Sequence, residues 1–514
     1  MKSMSAGFGA ALIAASAALT PLSARSQWNA QNSVTSVRLE SGGIVIAMQR
    51  GTLRIDVRTP SVVRIRYSLT GSFPPDTDDV ILPVTTPVPS FRVDSVQGGT
   101  RMSTARLAVT VGRADGTITF ADSGGKKLFE DYGRTLTPAE AGGERTLRAE
   151  MFSSLWGSSE AFFGLGQHQA GVWNYRGEAV DLSQDNTNIA IPLFLSTNGY
   201  GIFWNNASRS KFNNRFLNAL YLSAESAEIV DYFFIAGPAF DAIIAAYRDL
   251  TGRAPLFGRW AYGFWQCKNR YRTSEEVLGV ARRYRALHIP VDNIVQDWFW
   301  WNTMGEPVFD AARYPDPAGM IRELHARHMH FMISVWPFFR PGSRTYDDMD
   351  RKGYFIARTL VGGFHPAGQA LYDAFNPAAR AYYWGLIDTA LFRIGVDAWW
   401  LDTTEPETEG RETNILVTSR VAGRSSARVA NLYPLMTTGA VYSGQRAASD
   451  RKRVFILSRS AFAGAQRNAV AVWSGDINSD WTFFRKQIPA GLNLSISGIP
   501  YWTTDTGGFV SGDP

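Results

Sequence analysis

Ala398-Trp399-Trp400-Leu401-Asp402 and Val472-Trp473-Ser474-Gly475-Asp476 decide the reading of this chain. Each begins as an apolar run and is closed by a single carboxylate. Runs of Val, Ala and Trp without polar alternation read as strands covered on both faces, the kind found in parallel sheets. An Asp that closes such a strand stands at its carboxyl end, where α/β barrels and open α/β sheets hold their chemistry.

Outward from these segments, strand-like and helix-like stretches alternate from about Leu256 onward, which argues for βα units. Strands are expected over 261–265, 294–297, 331–336, 396–401, 454–458, 470–473 and 500–504. Thr273 and Glu276 form a capping box that predicts a helix over 274–287. Asp316-Pro317 and Asn376-Pro377 pair a cap with a first-turn proline. The second of these predicts a helix to 394, ended by Gly395. A parallel barrel of eight strands is the natural reading, here one strand short and with two unpaired edges. The chain is therefore expected to be truncated at its C-terminus, an open sheet being the other reading of the pattern.

Upstream, from Val34 to about Phe234, short alternating segments such as Leu53-Arg54-Ile55-Asp56-Val57 and Val63-Arg64-Ile65-Arg66-Tyr67 are broken by Gly, Pro, Asp and Ser. This is a β-sandwich pattern. A helix near 239–250, followed by Gly252 and Pro255, marks the junction. The expected plan is a signal peptide over 1–24, a sandwich over 25–237, a linking helix over 238–255 and the barrel over 256–514.

At 514 residues and 45% hydrophobic content, the chain can bury more than one core, roughly two to four units at ~150 residues each. Lys2, an apolar run over 8–19 and Ser23-Ala24 before Arg25 have the layout of a secretory signal, so a periplasmic or secreted location is expected. The run is short of the ~18 apolar residues that a membrane span needs, and no later stretch approaches that length. No cysteine near residue 24 invites lipidation, and the lone Cys267 cannot form an internal disulfide. The net charge of +6 falls to +5 without Lys2, and the basic residues are interspersed with acidic ones. That argues against nucleic acid or an anionic membrane as partner. Aromatic content of 13% with 16 Trp exceeds what core filling needs. Indole faces stack on the C–H faces of sugar rings, while Asp and Arg pair with their hydroxyls.

Several stretches together resemble glycoside hydrolase family 31, in particular its bacterial α-xylosidase branch. They are Phe163-Gly164-Leu165-Gly166-Gln167-His168, residues 184–192, Gly263-Phe264-Trp265-Gln266, Val295-Gln296-Asp297-Trp298, Ile333-Ser334-Val335-Trp336-Pro337, residues 399–406, Ser458-Arg459-Ser460, Trp473-Ser474-Gly475-Asp476 and residues 501–509. The resemblance implies a galactose mutarotase-like N-terminal sandwich before a (β/α)8 TIM barrel. It implies a retaining, exo-acting α-glycosidase with Asp402 as nucleophile and Asp476 as general acid/base.

The chemistry agrees with that division. An oxocarbenium-like state needs a carboxylate on one face of the sugar and a proton donor at the leaving oxygen. Trp473 and the charge of Asp402 are expected to raise the pKa of Asp476, while Asp402 needs donors to stay ionised. Arg459 is the candidate clamp for a sugar hydroxyl and also favours an ionised carboxylate. Asp297 resembles the family's acceptor for hydroxyls at the non-reducing edge. Trp336, Trp400, Trp473 and Phe509 are expected to wall the pocket.

Xylose is glucose without its C6 hydroxymethyl group. Trp298 stands where family α-glucosidases commonly carry a smaller residue, so an indole there is expected to exclude glucose. The implied partner is an oligosaccharide of xyloglucan type, and paired carboxylates need neither cofactor nor metal. The same-family alternative is an α-glucosidase or transglucosylase. The alternative from another class is a non-catalytic sugar-binding protein or an inactive fragment, because the family's further pocket His and C-terminal β-domains lie beyond this sequence. The oligomeric state stays open.

Other groups carry less. His325, His328 and His330 are expected at a helix end and strand start, on the face opposite the carboxylates, in structural roles. Gly362-Gly363 and Gly507-Gly508 read as turns. Glu405 and Glu407 are expected to orient the loop, rim the site or face solvent. Trp204-Asn205-Asn206 departs from the Trp-Asp-Asn common in relatives.

Overall fold

The computed structural model describes residues 32–510 apart from 84–86, 156–158, 217, 359–367, 407–415 and 417–418. The expected leader over 1–24, the Gly362-Gly363 turn and Glu407 lie outside the described residues.

Two antiparallel sheets of eight and nine strands form the N-terminal domain. Thr52–Thr59 pairs with Val62–Ser68, Ile55 opposite Ile65. Polar and apolar residues alternate along Val62–Ser68, yet the strand is buried throughout. The reason is a cover of residues 73–81 over the polar side. Arg64 donates to Asp231 from Nε at 2.9 Å and Nη2 at 2.6 Å, and Arg66 Nη2 donates to Asp56 Oδ2 at 2.6 Å. Their remaining Nη1 groups reach the Asp76 and Pro74 carbonyls. Burial of charge is tolerated here because each guanidinium is paired and hydrogen-bonded. Between the sheets Phe120, Tyr200 and Phe234 stack, with the Phe120 and Phe234 ring centroids 4.0 Å apart.

Phe240–Thr251 forms the linking helix and buries Ile243, Tyr247 and Leu250. Gly252, at φ 101°, ends it with its N–H on the Arg248 carbonyl.

The C-terminal domain is built on seven parallel strands in chain order: Trp265–Gln266, Asn293–Gln296, His330–Val335, Ala398–Leu401, Ile456–Ser458, Val470–Trp473 and Trp502–Thr503. Helix starts follow the capping signals. Thr273 Oγ1 accepts from Glu276 N at 3.2 Å, and Asp316 and Asn376 accept from Gly319 N and Ala378 N. The reciprocal arm of the capping box lands one residue early, Glu276 Oε2 accepting from Arg272 N at 2.7 Å.

Two expectations need correction. Ala261 and Tyr262 belong to a 3-10 turn, Arg259–Tyr262, bracketed by Gly258 and Gly263, so the first strand begins only at Trp265. The helix from Pro377 stays α only to Ile387 and then widens to a π turn over Asp388–Phe392 before Gly395. Between the third and fourth strands the chain also inserts a small antiparallel sheet, Phe338–Phe339 with Ala370–Tyr372 and Phe355–Arg358.

Among the described residues the first and seventh strands share no ladder. A cavity of about 770 Å³ opens between them, reaching inward to Met332, Trp400, Leu457 and Trp473. On helix Trp481–Ile496, which precedes the seventh strand, Trp481, Phe484, Ile488 and Leu492 form an exposed stripe. No helix among the described residues is long and apolar enough to cross a membrane.

Candidate active site

Parallel register brings the candidate residues together. Val335 pairs with Leu401, Leu401 with Ser458 and Ser458 with Val472. The residues that follow the third, fourth and fifth strands, Trp336, Asp402 and Arg459, therefore emerge at a common level. Asp297 follows the second strand directly, and Asp476 leaves the sixth after a turn at Ser474-Gly475. Backbone bonds continue past the strand ends, Asp402 N donating to the Val335 carbonyl at 3.3 Å and Arg459 N to the Leu401 carbonyl at 3.1 Å.

Arg459 is the hub. Its Nη1 lies 3.3 Å from Asp402 Oδ1 and 3.2 Å from Asp476 Oδ2, while Nε donates to Glu405 Oε1 at 2.9 Å and Nη2 meets the same oxygen. Asp402 Oδ1 also accepts from Thr403 N at 2.8 Å. The donors expected for Asp402 are thus in place. Burial nevertheless lifts its carboxyl up to about 6, with Asp476 and Glu405 adding to the rise and Arg459 opposing it. Asp297 is pushed further, up to about 8, by burial and by the neighbouring Asp402, Asp505 and Asp476, against the Trp298 N–H that donates to it at 2.7 Å. Burial with the charges of Asp476 and Asp402 takes Asp505 up to about 7.

The aromatic candidates fall into two pairs. Trp298 lies flat on Trp336, centroids 5.6 Å apart and planes 11° from parallel, and the Arg270 guanidinium sits 5.2 Å over the Trp298 ring. Trp400 meets Trp473 edge-on at 5.6 Å. Phe509 stands apart on the rim. It is 44% exposed, with its N–H donating to the Ile477 carbonyl at 2.9 Å.

Two site residues were not singled out from the sequence, and a third, Glu405, was named with its role left open. Asp505 ends Tyr501-Trp502-Thr503-Thr504 in the same strand-then-Asp pattern as Asp402, a signal that was present. Glu405 is fully buried, and its role as Arg459's partner could not be chosen over a solvated one without the fold. Asn186 comes from the other domain, within the 184–192 stretch that carries the resemblance, where its residue type alone gave no role. Its Nδ2 donates to Asp476 Oδ2 at 2.7 Å, and its Oδ1 accepts from Asp476 N at 3.0 Å. The loop that carries it is tied to the barrel through Gln184, whose Oε1 accepts from Ser460 Oγ at 2.9 Å and whose N–H donates to Asn431.

The remaining motifs take structural places. The glycines of the Phe163–His168 motif hydrogen-bond the last full helix, Gly164 N donating to Asn493 Oδ1 at 2.8 Å and Gly166 N to Ser497 Oγ at 2.9 Å. Asn205 donates to Asp78 and Asp231, and Asn206 to the Ser226 carbonyl. At the opposite end of the barrel, His325 Nε2 lies 2.7 Å and His330 Nδ1 3.5 Å from Asp397, which Lys452 also approaches at 3.3 Å. His328 turns the chain at φ 55°.

The sequence matches the glycosyl hydrolases family 31 TIM-barrel domain over residues 254–514 and the glycosyl hydrolase 31 N-terminal galactose mutarotase-like domain over 52–213. The chain belongs to glycoside hydrolase family 31. Within the family it is 37% identical to an α-xylosidase of Saccharolobus solfataricus over 91% of this chain and 64% of that protein. The chain thus spans somewhat under two thirds of that relative. Its structure is similar to that of a family 31 α-xylosidase from Xanthomonas citri, with a TM-score of 0.87 and 26% identity, covering 93% of this chain and 69% of the other. A family 31 α-xylosidase from a soil metagenome, complexed with xylose, superposes with a TM-score of 0.86 at 30% identity, covering 93% and 73%. Alpha-glucosidase 2 of Bacillus thermoamyloliquefaciens is 28% identical over 75% of this chain and 52% of its own length.

Proposed function

We propose that the chain is the core of a retaining, exo-acting α-xylosidase that releases α-xylose from the non-reducing end of xyloglucan-type oligosaccharides by double displacement. The observation that carries the mechanism is the single Arg459 nitrogen in contact with Asp402 and Asp476 at once. It limits the two oxygens to two contact lengths, which favours the ~5–5.5 Å carboxyl separation of retaining enzymes over the ~6.5–9.5 Å of inverting ones.

Asp402 attacks the anomeric carbon as Asp476 protonates the leaving oxygen. Asp476 then takes a proton from the water that frees the sugar. The ionised Asp402, held by Arg459 and the Thr403 N–H, places a negative charge beside the cationic, oxocarbenium-like state.

For the substrate, support comes from Trp298, which stacks on Trp336 and has the Arg270 guanidinium 5.2 Å from its ring centroid. Stacked on Trp336, the indole resists swinging aside for a hydroxymethyl group. Relatives named as α-xylosidases agree, while the α-glucosidase relative keeps glucose as the second reading.

The test is turnover of an aryl α-xyloside against the aryl α-glucoside, with Asp402→Ala as blank. Preference for the xyloside by about a hundredfold, roughly 2.7 kcal/mol of transition-state discrimination, is expected. Equal or better glucoside turnover replaces the xylosidase reading with the α-glucosidase or transglucosylase one. The proposal extends to export to the periplasm or medium, tested by whether the mature protein begins at Arg25 in mass spectrometry.

A further inference from the structure

We infer that Asn186, from the sandwich domain, is a positioning residue that decides which oxygen of Asp476 carries the catalytic proton. The inference rests on the reading of Asp476 as general acid/base.

The orientation of the Asn186 amide follows from its partners. A backbone N–H can only donate, so the group facing Asp476 N must be Oδ1, at 3.0 Å, and Nδ2 then faces the carboxylate, at 2.7 Å. Asp476 Oδ2 accordingly receives two N–H donors, Asn186 Nδ2 and Arg459 Nη1 at 3.2 Å. Neither donor can accept a hydrogen bond. A proton on Oδ2 would therefore face two others, and the acid proton belongs on Oδ1.

The same donors are in place for the product of the step. When the Oδ1 proton passes to the glycosidic oxygen, the C1–O bond breaks, Asp402 closes on C1, and the leaving alcohol departs neutral. Asp476 is left as a carboxylate whose Oδ2 is already solvated by the protein, so no reorganisation is needed.

The clasp is built into both loops. Asp185 and Asn188 pair through both backbone bonds, and Asn186 N donates to Asp185 Oδ1 at 3.0 Å. The Thr187 carbonyl accepts from Gln167 Nε2 at 2.9 Å. On the barrel side Gly475 has φ 78°, and a Cβ there would lie 2.6 Å from both Asn186 Oδ1 and Thr187 N. Only glycine allows the two loops to approach this closely.

The experiment measures kcat/KM of the full chain on two α-xylosides, one with a dinitrophenolate leaving group, which departs without protonation, and one with an alkyl alcohol. Asn186→Ala is expected to lose about tenfold or more on the alkyl xyloside and less than about threefold on the dinitrophenyl one, a part of the ~10²–10⁴-fold that general acids supply. Asn186→Asp, nearly isosteric, puts a like charge against Asp476 and is expected to move the basic limb of the pH profile upward. Equal losses on both substrates, or no loss, together with an unmoved basic limb, overturn the inference. Asp476→Ala on the same pair separates the failures. If it too loses equally on both substrates, the acid/base reading itself is wrong. If it alone discriminates, only the role of Asn186 falls.

Discussion

Arg459 grips Glu405 through two nitrogens on one oxygen, and Glu405 has no exposed surface at all. The guanidinium is therefore anchored on one side by a buried charge and presents its remaining Nη1 to Asp402 and Asp476. Its planar fork makes this possible, where the point charge of a lysine would have to choose. Glu405→Ala leaves a buried cation short of its partner. It is expected to cost about 3–5 kcal/mol of stability by denaturant unfolding. Glu405→Gln keeps the shape and an acceptor oxygen without the charge. It should fold and lose roughly tenfold in kcat, about 1.4 kcal/mol.

Activity should fall on the acid side of pH 6. Burial raises Asp402 from its ordinary 3.8 up to about 6, and only the ionised form can attack. Below that value kcat/KM is expected to drop about tenfold per pH unit. Because Arg459 opposes the rise, Arg459→Met should move this limb to higher pH as well as lowering the rate. A limb at pH 4 in the wild-type profile would contradict the role given to burial.

The site carboxylates should make the fold less stable as pH rises. Asp297 is lifted to about 8 and Asp505 to about 7, so the folded protein holds protons that the unfolded chain releases near pH 4. The contribution of these two groups is then highest in acid and is lost as pH rises from the unfolded value through the folded one. Asp297→Asn removes the dependence at one position. Its thermal midpoint should match the wild type near pH 4 and exceed it by roughly 2–4 °C at pH 8, on the order of a few kcal/mol at most. Catalysis should be lost at either pH.

The cluster at the far end of the barrel should matter to stability alone. Burial alone would raise Asp397, but the His325 hydrogen bond, with His330 and Lys452 close by, holds its carboxyl well below the usual range. Its Oδ2 also accepts from the buried Phe331 N–H at 3.0 Å. Asp397→Ala is expected to cost about 1–3 kcal/mol, chiefly through that orphaned donor. The kcat of the folded fraction should not change, and neither should the thermal midpoint on chelator treatment.

Much of the fold was legible because its signals are local. The Thr273, Asp316 and Asn376 caps start their helices where expected, since a cap bonds to the backbone two or three residues on. Val470–Trp473 and the other central strands follow from apolar runs too short for helices. The misreadings share a cause as well. Ala261-Tyr262 has strand-like composition, but two glycines and the Trp260 carbonyl, which accepts from Gly263 N, turn it into a 3-10 turn. Arg64 and Arg66 alternate like solvent-facing residues, and only a cover from residues 73–81 buries them.

What the sequence determined by itself is the placing of Asp297, Asp402, Arg459 and Asp476 at or just beyond the ends of strands, because residue type and strand direction are written locally. What the tertiary structure decided is how those groups are paired. Asn186 reaches Asp476 across 290 positions and Gln184 reaches Ser460 across 276, while Trp298 finds its flat partner Trp336 on the neighbouring strand. Such contacts are set by the packing of a sandwich loop on a barrel end and by the register of parallel strands, and no pattern within a window of neighbours encodes either.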